Sequence, residues 1–121
     1  MNQTTQTICR THLDAKRIAA EYVLRSEKGR IIREALDKTN GNVTRAMELI
    51  WQNGDAARLG GWGFAGPDRP RVSCYHSAST TPISIWMPGT PYTTEPDLIM
   101  EWREVFQYAQ TGRLVTQLDL L

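Results

Sequence analysis

The tetrapeptide Thr39-Asn40-Gly41-Asn42 is the strongest punctuation in this chain, and it falls between two apolar patterns of helical period. Before it, Ile31, Ile32, Ala35 and Leu36 share one helix face. After it, Val43, Ala46, Met47, Ile50 and Trp51 recur at the spacing of an apolar stripe. Gly41 suits the left-handed conformation that ends a helix, and the Asn42 side chain suits accepting a backbone N–H at the start of the next. Residues 29–53 are therefore expected to fold as helix, tight turn, helix.

The rest of the chain has to bury those stripes. Its 121 residues suit one domain, or a small helical unit with a packed extension, and its 40% apolar and 22% charged content is ordinary for a soluble globular protein. The first ten residues lack the apolar core of a signal peptide, and no later apolar run could span a bilayer. A cytoplasmic protein without a membrane partner is expected, with Cys9 and Cys74 reduced. The net charge of +1 makes no global case for nucleic acid, but residues 1–60 hold ten Lys/Arg against seven Asp/Glu, and residues 61–121 four against six. A slightly basic helical half suits a phosphate-facing surface, and equally an ordinary solvated helical face.

Taken in order, residues 1–10 read as a flexible arm and residues 11–59 as a bundle of three helices. Thr11 caps the first, which carries Leu13, Ile18, Ala19, Tyr22, Val23 and Leu24; Ser26 caps the second, and Asn42 the third. Residues 60–70 read as a Gly/Pro loop carrying Trp62 and Phe64. Residues 71–121 form the extension. Two strands around 72–76 and 83–87 make a hairpin, and a helix capped at Thr94 follows, with Leu98, Trp102, Val105, Phe106 and Ala109 as its stripe. A short strand over 114–118 is favoured for the tail. The expected class is α+β: an N-terminal three-helix bundle with a helix-turn-helix-like core, then a β-hairpin packed with a C-terminal helix. Ile31, Ile32, Leu36, Val43, Met47, Ile50, Trp51, Ile85, Trp102, Val105 and Phe106 are the expected core.

Within residues 30–50, Ala35, Leu36, Gly41, Asn42, Thr44, Arg45, Ala46 and Leu49 stand as in the helix-turn-helix of the Fis family of bacterial DNA-binding proteins, which this stretch resembles. The resemblance implies a three-helix DNA-binding unit whose next helix enters the major groove. After Trp51 the chain offers Gln52-Asn53-Gly54-Asp55-Ala56-Ala57-Arg58-Leu59, with a single arginine where a basic reading helix would stand. Arg30, Arg33, Lys38, Thr44, Arg45 and Arg58 would then supply the nucleic-acid contacts, mostly electrostatic ones. The same residues are similar to the second half of a ubiquitin-associated domain, which implies a small apolar patch facing a protein partner.

Two other constellations bear on chemistry. Cys9 and His12, with Cys74 and His76, offer four ligands that suit a tetrahedral zinc; two reduced thiols and two surface imidazoles are the plainer reading. Gly61 to Gly66 satisfies G-x-G-x-x-G in letters, but Pro67 follows where a helix should open, so no dinucleotide site is expected. No nucleophile–base arrangement stands out, and no enzyme is expected.

Two functions remain. One is a small regulator that binds DNA through the bundle, as a homodimer. The other is a non-catalytic protein-binding module or inhibitor, docking on a larger bacterial or phage-targeted assembly through Trp62, Phe64, Tyr75, Trp86 and Tyr92. Trp62 and Phe64 have a second reading, as a cover for the open edge of the bundle.

Overall fold

The structure, a computed structural model, describes residues 9–64, 68–74 and 83–114. Three helices open it: α1 (His12–Leu24), α2 (Glu27–Lys38) and α3 (Val43–Gln52). Each starts on the expected cap. Thr11 Oγ1 accepts from the Asp14 N–H at 3.0 Å while Asp14 Oδ2 accepts from the Thr11 N–H at 3.1 Å, closing a capping box. Ser26 Oγ accepts from the Lys28 N–H at 3.2 Å, and Asn42 Oδ1 from the Arg45 N–H at 3.0 Å. The turn between α2 and α3 places both Asn40 (φ 56°) and Gly41 (φ 80°) in the left-handed region, and the Gly41 N–H returns to the Leu36 carbonyl at 2.8 Å.

The joint between α1 and α2 is tighter still. The Arg33 guanidinium donates to the Leu24 carbonyl at 2.9 Å, satisfying one of the last acceptors of α1. Gly29 lies against the same carbonyl: a Cβ there would stand 1.9 Å from Leu24 O.

Beyond α3 the architecture departs from the expected loop and hairpin. Asp55–Leu59 is a 3-10 turn, and four strands follow: β1 (Gly61–Phe64), β2 (Arg71–Cys74), β3 (Ile83–Trp86) and β4 (Leu98–Met100). They form one antiparallel sheet in the order β1-β2-β3-β4, with Gly61 opposite Cys74, Val72 opposite Ile85, and Ile83 opposite Met100. The expected hairpin is its centre. The Gly/Pro loop over 60–70 is corrected, because Gly-Trp-Gly-Phe is a strand whose glycines mask its alternation. The early start of the last helix is corrected too. Leu98 belongs to β4, and α4 (Trp102–Thr111) begins after Glu101, whose N–H donates to Glu104 Oε2 at 2.9 Å. Thr94 serves the preceding loop instead, donating to the Pro91 carbonyl at 2.6 Å. The strand proposed for 114–118 falls, beyond Leu114, outside the described residues.

The described residues of this α+β chain share one apolar core, drawn from both halves of the sequence. Ile32, Ala46, Ile50, Val72, Ile83, Ile85, Met100, Val105 and Phe106 are in a single buried cluster, and α4 packs against α1, α2 and α3. Eight of the expected core residues are buried, while Val43, Met47 and Trp51 pack along the cluster's edge. Ala15, Ala19 and Ala20 are also fully buried; their small side chains let α1 approach its neighbours closely. Leu13, expected in the stripe, is exposed. Among the described residues no helix is long and apolar enough to cross a membrane.

Polar contacts latch α4 onto α1. Lys16 Nζ meets Glu104 Oε1 at 2.9 Å, and the Tyr108 hydroxyl donates to Glu21 Oε2 at 2.5 Å. Burial, and then the bond to Glu21, push the Tyr108 phenol up to about 12 from an ordinary 10.0. The unfolded chain therefore loses this proton first as pH rises. The Tyr108 contribution to stability is complete below pH 10.0 and is lost as pH climbs through about 12. Urea midpoints measured across that window should fall more in the wild type than in Tyr108→Phe. Parallel pH profiles for the two proteins would remove Tyr108 from the account.

Candidate functional site

Of the six residues proposed to contact nucleic acid, Arg30, Arg33, Thr44 and Arg58 are engaged within the chain. Arg30 is clamped between two acids of its own helix, Glu27 and Glu34, the latter at 2.9 Å. Arg58 reaches the same Glu27 at 3.0 Å and Asp55 at 3.6 Å. The Glu27 carboxyl is held below its usual range, first by the Arg30 hydrogen bond. Arg33 caps α1, and Thr44 accepts from Arg103 Nη1 at 3.0 Å. Lys38 and Arg45 are exposed, and Arg45 has Glu48 at 3.9 Å. Where a reading helix would follow α3 stands the five-residue 3-10 turn, with Ala56 and Leu59 buried in the core.

The aromatic set resolves more informatively. Trp62 and Phe64 lie in β1, where they pair with Ser73 and Arg71, and Tyr75 lies outside the described residues. Trp86 is corrected as an exposed anchor: it is buried, and its Nε1–H donates to the Thr94 carbonyl at 2.9 Å. Sequence placed it at the surface because a strand's burial on both faces is set by what packs over it, here the loop that follows. Tyr92 is exposed, at 53%, with its ring centroid 4.6 Å from the Arg71 guanidinium.

The loop that presents Tyr92 is built to hold its shape. The Thr90 N–H donates to the Met87 carbonyl at 3.0 Å and the Thr94 N–H to the Pro91 carbonyl at 3.1 Å, forming two successive turns. Trp86 fixes the far end through Thr94. Asp97 fixes the near end, accepting from the Met87 N–H at 2.7 Å; that bond first, and one from Thr90 second, hold its carboxyl below the ordinary range. Between this loop and the approach to β2 lies a cleft of about 520 Å³, lined by Asp68, Arg69, Arg71, Pro88, Pro91 and Tyr92 among others. Sequence reading missed Arg69, Arg71 and Asp97. The one available signal was Pro88-Gly89-Thr90-Pro91, a rigid turn beside an aromatic.

The three zinc candidates that lie among the described residues are not gathered into a metal site. Cys9 is half-buried and its thiol is raised, first by burial, with Asp14 and Arg69 as the charges it feels. Cys74 is buried in the core, pushed up to about 11 by burial, and responds to Lys28. Arg69 precedes β2 and Cys74 ends it, so the two thiols stand toward opposite ends of that strand. His12 is exposed, and His76 lies outside the described residues. Among the described residues no group of three or more His, Cys, Asp or Glu could hold a metal. Comparison with protein-family models, with curated proteins and with solved structures returned no match.

Proposed function

We propose that this chain is a non-catalytic protein-binding module that docks on a larger assembly through the Arg71–Tyr92 cleft. The observation that carries the reading is Tyr92: an aromatic 53% exposed, stacked on Arg71, in a loop pinned at both ends. Tyr and Arg on a rigid support are the residue types that anchor protein interfaces, because they add contact area with little further ordering. A DNA-binding regulator has less geometric support. It needs several cations facing phosphate together, and Arg30, Arg33 and Arg58 already serve carboxylates or a carbonyl of their own chain.

Affinity capture from a bacterial lysate, with and without nuclease and at low and high salt, tests the choice. A discrete protein should be retained under all four conditions. Tyr92→Ala combined with Arg71→Ala should weaken its capture by about 30-fold, the size of an interface hot spot, while Arg45→Ala leaves it unchanged. Retention that vanishes with nuclease and falls steeply with salt would sink the proposal in favour of the regulator.

A further inference from the structure

The outer side of α3 carries a ridge between two clefts. Glu48 and Gln52, one helical turn apart, line both. One cleft, of about 400 Å³, adds Met47 and Trp51 from α3 and Arg103 from α4; the other, of about 350 Å³, adds Arg45. We propose that this face is an interface between two copies of this chain, packed α3 against α3 about a two-fold axis. The proposal is independent of the Arg71–Tyr92 cleft.

An isologous contact requires a patch that complements itself, in shape and in charge. Shape comes from the ridge, which fits the neighbouring cleft of a second copy in the manner of helix ridges entering grooves. Charge comes from its arrangement: an acid on the ridge, Glu48, and an arginine in each cleft. Within one chain those arginines are weakly engaged. Arg45 approaches Glu48 only to 3.9 Å with its side chain 71% exposed, and Arg103 donates to a neutral hydroxyl, Thr44 Oγ1, at 3.0 Å. A second copy whose ridge enters the Met47–Trp51 cleft would bring its Glu48 to Arg103. The cleft floor matches as well. Met47 and Trp51 are half-buried apolar surface.

Sedimentation equilibrium on the full chain, from about 1 μM to about 1 mM, should show a monomer passing to a dimer. Glu48→Arg alone, and Arg45→Glu with Arg103→Glu, should each weaken self-association by about tenfold or more, since each sets like charges face to face. Mixed in equal amounts the two variants should associate as tightly as the wild type, because each then presents the sign the other lacks; a misfolded variant could not do this. A chain that stays monomeric throughout, a dimer that Glu48→Arg leaves intact, or a mixture that remains monomeric would each overturn the interface.

Discussion

Gly29→Ala is expected to destabilise the protein by about 3 kcal/mol or more, at the upper end of what overpacking costs. On an exposed helix the same change stabilises by about 1 kcal/mol, because alanine is the better helix former. The sign is therefore diagnostic. Here the new Cβ would lie 1.9 Å from Leu24 O and 2.5 Å from Leu24 C, backbone atoms that cannot swing aside as a long side chain can. Relief requires α1 and α2 to move apart at the shared end. That shift also takes the Leu24 carbonyl away from the Arg33 guanidinium, now 2.9 Å from it, and uncovers a helix-end acceptor. A thermal midpoint lowered by about 10 °C or more would fit this geometry. An unchanged or raised midpoint would mean that α1 and α2 do not meet closely at Gly29.

That glycine illustrates what could be read in the sequence and what could not. The caps Thr11, Ser26 and Asn42 and the Gly41 turn were legible because each is satisfied within a few residues of itself. Gly29 carries no such local signal, since its reason is a carbonyl from the preceding helix. β1 and β4 escaped for the same cause. Gly-Trp-Gly-Phe becomes a strand through pairing with β2, and Leu98-Ile99-Met100 through pairing with β3; both are too short to declare themselves. The candidate cleft was the least legible part. It is made where Arg71, on β2, meets Tyr92, in the loop after β3, and only the exposed aromatic among its members was anticipated.

The same non-local packing decides how the protein comes apart. Phe106 is fully buried in α4 and belongs to the cluster that also holds Ile32 and Leu36 of α2, Ala46 and Ile50 of α3, and Ile83 and Ile85 of β3. Phe106→Ala should cost about 3–5 kcal/mol, for lost transfer energy and the cavity left behind. That is a large fraction of the roughly 5–15 kcal/mol that holds a domain of this size folded. The loss should be felt by the whole molecule. Far-UV circular dichroism, dominated by the helices, and fluorescence from Trp51 in α3, Trp86 in β3 and Trp102 in α4 should report one shared urea transition, displaced together in the variant. A helix bundle over residues 11–59 that was stable alone would behave differently, keeping its helical signal while the tryptophans of the extension unfolded first. The packing of α4 against α1, α2 and α3 argues for the single transition, because removing α4 would expose apolar faces on all three helices at once.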